Sequence, residues 1–300
     1  MRGDDGVTKP MEAAAVLIET LPYIQQFAGK TVVIKYGGNA MVNSELKQSV
    51  IQDITLLKYV GMRPVVVHGG GPEITNFLTQ LGKKSTFVSG LRVTDEDTVA
   101  VAEMVLVGKV NTEIVSLLNR SGAKAVGLSG KDANLIVAKK HLAQVHENGQ
   151  VTAVDIGFVG DVEQINIDIL NTLLDSGYIP VIAPIGVGKD NESYNINADY
   201  VAGEVAGALG AEKLIMLTDV EGIYREFADK SSFISTLSLA EAQQMIKDGT
   251  IEGGMIPKVE TCIRALQGGT AKTHIIDGRQ PHSILLEIFT AQGSGTQVVK

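Results

Sequence analysis

Twice in its first quarter this chain runs a short apolar stretch into glycine and then into a helix-like segment. The two are Thr31-Val-Val-Ile-Lys-Tyr-Gly-Gly-Asn-Ala-Met41 and Pro64-Val-Val-Val-His-Gly-Gly-Gly-Pro-Glu73. Strand, glycines and helix start, in that order, make an anion site. Glycine lets backbone N–H groups approach a ligand closely, and the first turn of a helix offers free donors and a favourable dipole. Lys35 adds a compact positive charge at the end of the first strand. Alone, that stretch reads equally well as a strand ending in a tight turn with a solvated lysine. The second stretch, with Pro72 suited to open a helix, moves the reading toward phosphate. Neither is a dinucleotide fingerprint, since the last glycine position counted from Gly69 is Ile74, and no G-x-x-x-x-G-K-[ST] occurs.

The remaining chain alternates strands and helices. Residues 1–9 are polar and expected to fray. Residues 11–28 carry apolar positions near helical spacing, with Pro22 expected to kink or interrupt them. This segment either packs on its own domain or serves as an oligomerisation arm. Asn43 or Ser44 is expected to cap the helix that follows Lys35, and Gly61 to end it. In Gly90-Leu-Arg-Val-Thr-Asp-Glu-Asp97, Thr94 reads as a helix N-cap. Arg92 either binds a substrate carboxylate or answers the acids beside it. A long helix is expected from Asp95 to Asn119, with Gly108 inside it implying a close packing partner. Residues 124–161 read as β-structure, with Ser129-Gly-Lys-Asp132 a loop near the site or an ordinary hairpin. Asn195, Asn197 and Asp199 alternate, so an extended chain turns them to one side, either in a wet loop or at a site. The small-residue helix after them suits close helix–sheet packing. Lys213 to Thr218 is a strand, 225–236 is irregular, and Gly253-Gly-Met-Ile-Pro-Lys258 brings a second lysine to a helix start.

Composition narrows the function. With 300 residues, 44% hydrophobic, the chain suits two lobes around one large sheet or two small domains. A net charge of −8 without a basic block argues against nucleic acid. No apolar run reaches membrane-span length, the amino terminus lacks a signal-peptide pattern, and the single Cys262 forbids an internal disulfide, which together suggest the cytoplasm. Histidines 68, 141, 146, 274 and 282 show no metal-ligand spacing, and no nucleophile elbow appears. The expected fold is an open, mainly parallel α/β sheet sandwiched by helices, in two lobes, with its site along the strand carboxyl ends. Two lysines beside glycine turns suit phosphoryl transfer, which depends on positioning and charge neutralisation.

From about Leu21 to its end the chain resembles the amino-acid kinase superfamily, and within it the arginine-sensitive, hexameric N-acetyl-L-glutamate kinases. The motifs are Ile34-Lys-Tyr-Gly-Gly38, Val67-His-Gly-Gly-Gly71, Gly90-Leu-Arg-Val-Thr94, Tyr194-Asn-Ile-Asn-Ala-Asp199, Leu217-Thr-Asp-Val220 and Gly254-Met-Ile-Pro-Lys258. The resemblance implies an amino-terminal arm (1–29), an acetylglutamate-binding lobe with a dimerisation surface (30–209) and a nucleotide-binding lobe (210–300). It implies ATP with Mg²⁺, and catalysis by Lys35 and Lys258 with Asp199 holding both. Gly70, Gly71, Arg92 and Asn195 would bind acetylglutamate. Gly37, Gly38, Thr218, Asp219, Gly222, Tyr224 and Gly254 would bind ATP. Tyr23, His274, Glu287, Gly293 and Gly295 would line an arginine pocket in a trimer of dimers. Ser294 departs from the apolar residue that the family carries between those glycines. Some relatives respond to the nitrogen-signalling PII protein, which nothing in this sequence decides. Aspartate, glutamate 5-, carbamate or uridylate kinases share the glycine loops, and a non-catalytic arginine or nucleotide sensor is the alternative of another class.

Overall fold

The computed structural model describes residues 10–147 and 150–300; residues 1–9, expected to fray, lie outside the described residues. Eight strands form one sheet, in the order Thr236–Ser238, Gly295–Val299, Lys272–Asp277, Lys213–Thr218, Thr31–Tyr36, Arg63–His68, Ile179–Ala183 and Ala125–Ser129. Every neighbouring pair is parallel except Lys272–Asp277 with Gly295–Val299. The expected mainly parallel α/β sheet is therefore observed. Its central strands read as unbroken apolar runs because helices cover both faces. Val32 and Ile34 enter one core cluster and Val33 the other, as the two-residue period of a strand requires. Pairing of Val32 with Lys213 joins the first and last thirds of the chain into that single sheet.

A second, smaller β unit closes from Ile136–Glu147, Gln150–Ile165, Ile185–Val187 and Ser193–Asn195. Ser129-Gly-Lys-Asp132 is not a hairpin, since Ala125–Ser129 and Ile136–Glu147 lie in different sheets. The stretch leaves the edge strand through a short turn at Asp132–Asn134, and Lys131 is tied to Glu103 and to Ser193 Oγ, 2.9 Å away.

Several local expectations need correction. The helix Pro10–Phe27 runs uninterrupted through Pro22, which removes one backbone donor without ending it. Its carboxyl-terminal end packs on its own domain, with Phe27 in the core and Tyr23 against it, while Met11, Val16, Leu17, Ile18 and Leu21 are exposed, so most of its length does not. Asp95, rather than Thr94, caps the next helix by accepting from Thr98 N–H; Thr94 is buried, its hydroxyl on the Arg92 carbonyl. The long helix is two α-segments, Glu96–Glu103 and Thr112–Arg120, joined by a π-helical stretch, Met104–Asn111. Gly108 lies in that stretch, and a Cβ added there would meet nothing within 4 Å, so the inferred packing partner is absent among the described residues. Phe233–Ile234, inside the segment expected to be irregular, pairs with Ile223–Tyr224 just before that segment as a short hairpin.

Candidate active site

The small residues that follow Asp199 explain how the two lysines come together. The helix Ala198–Ala208 carries Gly203 and Gly207, and they face the helix Ile256–Gly268 rather than the sheet. A Cβ on Gly203 would meet Thr261, and one on Gly207 would lie 3.1 Å from the Cα of Gly268. Asp199, Gly203 and Gly207 are spaced four apart and share one helix face. Close approach along that face sets the first turns of the two helices side by side, with Asp199 on one and Lys258 on the other. Lys35 reaches the same point from the end of the central strand Thr31–Tyr36. Lys35 Nζ lies 3.0 Å from Asp199 Oδ1, and Lys258 Nζ 3.4 Å from Oδ2. One carboxylate thus holds one ammonium on each oxygen. Burial favours its protonated form, yet the charges of Lys35 and Lys258 outweigh this and hold Asp199 below the usual carboxylate range.

Two clefts meet here. The first, of about 290 Å³, is lined by Gly69 to Gly71, Arg92, Asn195, Asn197 and Asp199; the second, of about 680 Å³, by Thr218, Asp219, Gly222, Tyr224, Gly254 and Lys258. Lys35 and Gly38 line both. Gly37 is extended, and a Cβ there would sit 2.5 Å from Lys35 Nζ, so glycine leaves the path of the lysine open. Gly38 has a φ of +67° and lies under the Asp219 carboxylate, whose Oδ1 accepts from Asn39 N–H at 2.8 Å. Asp219 therefore also braces the first glycine turn.

Arg92 does not answer the neighbouring acids; Lys83 takes Asp97 instead. Its guanidinium is buried, donating to Ser85 Oγ, to the Gly71 carbonyl at 2.9 Å and to Thr75 Oγ1 at 2.8 Å, and stacking on Phe87. Burial lowers the proton affinity of Arg92, and the side chain borders the first cleft as a fixed fork. Asn195 and Asn197 line that cleft as well, but the alternating row is broken. Asn197 caps the helix through Asp199 N–H, and Asp199 already lies in the first helical turn.

Tyr23, His274, Glu287, Gly293 and Gly295 line a separate cleft of about 530 Å³ between the amino-terminal helix and the last strands. Glu287 is buried; burial raises its pKa, but His274, Lys213 and the Ser294 N–H more than offset this and keep it below the usual range. His274 Nδ1 lies 2.6 Å from Glu287 Oε1. Gly293, at φ +67°, leaves room for the Glu287 carboxylate, and Gly295 faces the Ile275 carbonyl too closely for any side chain. Ser294 takes part through its backbone N–H, so its departure from an apolar residue leaves that contact intact.

Sequence reasoning missed Ser85 and Thr75, which fix Arg92, and Lys213, which is buried over the Phe27 ring beside Glu287. None carries a pattern: Ser85 and Thr75 look like surface positions, and Lys213 looks like the exposed start of a strand.

The model described as the amino acid kinase family matches residues 30–277. Acetylglutamate kinase of Moorella thermoacetica is 60% identical over 290 residues, covering 97% of this chain and 98% of that protein. N-acetylglutamate synthase from Neisseria gonorrhoeae superposes on 96% of this chain in two complexes. With coenzyme A and N-acetyl-glutamate it gives a TM-score of 0.81 at 28% identity; with coenzyme A and L-arginine, 0.78 at 26%. This chain spans 63% and 65% of that longer protein. Carbamate kinase from Giardia lamblia bound to AMP-PNP shares the fold, with a TM-score of 0.65 at 18% identity over 91% of this chain and 99% of that one. The family match over most of the chain, and a relative so alike from end to end, give one conclusion: this chain belongs to the amino acid kinase family.

Proposed function

We propose that this protein transfers the γ-phosphoryl group of ATP to the γ-carboxylate of N-acetyl-L-glutamate, forming the acyl phosphate used in arginine biosynthesis. The observation that carries the reading is the junction of two clefts at Lys35, with Asp199 holding Lys35 and Lys258 together. A carboxylate acceptor is ionised at pH 7, so one of its oxygens attacks the γ-phosphorus without a general base. The bond from that phosphorus to the β,γ-bridging oxygen breaks, and ADP carries the charge away. Lys35, which borders both clefts, faces the moving phosphoryl group, while Lys258 lies on the nucleotide side. Together they neutralise charge on the acceptor and leaving oxygens. The Arg92 fork suits the acceptor's α-carboxylate, and Asn195 with the N–H groups of Gly70 and Gly71 suits its remaining polar atoms. Gly37 and Gly38 offer N–H groups to the phosphates, and the 680 Å³ cleft suits the nucleoside. Among the described residues no three ligating side chains cluster; Mg²⁺ accompanying ATP would be held mainly by phosphate oxygens.

Arginine is the proposed inhibitor, supported by the acidic Glu287 in a cleft walled by the amino-terminal helix. A guanidinium suits that carboxylate, and the structural neighbour from Neisseria gonorrhoeae is itself described in complex with L-arginine. The exposed apolar face of Pro10–Phe27 supports its role as an arm between copies in a hexamer. In this reading residues 30–209 bind the acceptor, residues 210–300 bind the nucleotide, and the protein works in the cytoplasm.

The test is acyl-phosphate formation from ATP and Mg²⁺, trapped with hydroxylamine, across a panel of acceptors with and without arginine. Turnover with N-acetyl-L-glutamate, suppressed by arginine, is the expected result. Turnover with aspartate, glutamate or carbamate instead, or ADP release with UMP, whose product hydroxylamine does not trap, would assign a sister kinase. Tight arginine binding with no turnover would assign a sensor.

A further inference from the structure

We propose that His68 is a positioning residue that aims the Gly70 N–H into the acceptor cleft, through a brace built by the π-helical stretch. The proposal rests on the reading of that cleft as the acetylglutamate site.

The peptide groups of Gly69 to Gly71 are fixed from the protein side. The Gly69 carbonyl lies 2.7 Å from His68 Nδ1, the Gly70 carbonyl accepts from Ile74 N–H at 3.0 Å, and the Gly71 carbonyl accepts from Arg92 at 2.9 Å. A trans peptide points its N–H opposite to its C=O. Drawing the Gly69 carbonyl toward His68 therefore turns the Gly70 N–H away from the core. Drawing the Gly70 carbonyl into the helix does the same for the Gly71 N–H.

The hydrogen-bond network dictates the tautomer of His68. A carbonyl can only accept, so Nδ1 carries the proton; Nε2 then accepts from Asn111 Nδ2 at 3.1 Å. The second proton of that amide goes to the Val181 carbonyl at 2.8 Å. Asn111 Oδ1 fills the space that a side chain at Gly127 would need. His68 is fully buried, and burial holds its pKa down at about 4, so the ring is neutral.

The π-helix makes this brace possible. Leu106 and Asn111 are five residues apart, which in an α-helix places them about 140° apart around the axis. The i→i+5 geometry of Met104–Asn111 brings them to one side. Leu106 packs under Gly70, where a Cβ would come within 2.5 Å of it, and Asn111 holds His68. Two contacts from one stretch therefore set the glycine loop.

The experiment compares His68→Asn with His68→Gln. An asparagine amide can replace the Nδ1 donor; a glutamine amide reaches toward the Nε2 position and leaves the Gly69 carbonyl unpaired. The expected result is a KM for N-acetyl-L-glutamate raised tenfold or more in His68→Gln and within threefold of native in His68→Asn, with KM for ATP within twofold in both. Equal damage in the two variants, or parallel rises in both KM values, would overturn the proposal. Long-range nitrogen NMR of His68 in the unaltered protein supplies a readout free of folding defects. A neutral ring protonated on Nδ1 is expected, and protonation on Nε2 would overturn the proposal. If the unaltered protein does not turn over acetylglutamate, the functional reading fails, while the NMR result still tests the geometry.

Discussion

Replacing Gly37 with alanine separates catalysis from folding in this site. Gly37 has φ −168°, an extended conformation open to any residue. Alanine there adds no backbone strain and narrows the unfolded ensemble by about 0.4–1 kcal/mol, which offsets part of the loss from the displaced Lys35, so net stability should stay within about 1 kcal/mol of native. The added Cβ would stand 2.5 Å from Lys35 Nζ and 3.0 Å from its Cε. Ordinary contact needs about 3.5 Å, so the ammonium must retreat by roughly 1 Å. That is enough to break its 3.0 Å contact with Asp199. A displacement of about 1 Å in a catalytic group lowers rate by about 100-fold, or about 2.7 kcal/mol. Gly38→Ala is the contrast, because φ +67° and the Asp219 carboxylate 2.6 Å away make it lose stability as well, by about 1–3 kcal/mol. Thermal unfolding and hydroxamate-trapped kcat measure the two effects. A Gly37→Ala protein with native Tm and kcat within threefold of native would refute the reasoning, since Lys35 would then work from elsewhere.

Asp199→Asn removes the one charge between two ammoniums. It should cost about 3–5 kcal/mol and at least 100-fold in kcat, measured by urea unfolding and by the same trapping assay. Because the Asp199 pKa is lowered in the fold, its stabilisation is present above the unfolded carboxyl value and is lost as pH falls through the folded one. Glu287→Gln should leave kcat near native and weaken arginine inhibition at least tenfold, read from inhibition curves. His68 gives a pH signature with the cause reversed. It stays neutral in the fold down to about 4 while the unfolded chain protonates below about 6.5. The unaltered protein should therefore lose about 2–3 kcal/mol relative to His68→Asn between pH 7 and 4.5, measured by urea unfolding at both pH values.

The sheet and the two glycine turns were legible in sequence because each is a local pattern. Apolar runs such as Val65 to Val67 break on glycines that the backbone needs, as at Gly70, with φ +156°. Lys35, Lys258 and Asp199 were legible as residues, but their meeting was not. It depends on Gly203 and Gly207 packing against Thr261 and Gly268, a contact between helices far apart in sequence. The π-stretch escaped because its residues have ordinary helical propensity; the widening serves tertiary contacts of Leu106 and Asn111 that leave no local trace. Thr94 and Asp95 show the same limit. Both can cap a helix, and the pairing of Thr94 with Gly157 in the small β unit decides between them.

The proposed mechanism centres on two lysines, held by one carboxylate, acting on one phosphoryl group. Single-turnover acyl-phosphate formation should therefore be measured for Lys35→Ala, Lys258→Ala and the double variant, at saturating ATP and N-acetyl-L-glutamate. Each single variant is predicted to lose about 100- to 1,000-fold in rate, and the double variant much less than the product of the two losses, because the pair acts as a unit. A single variant that keeps its rate, or losses that multiply in full, would contradict a shared role at the site.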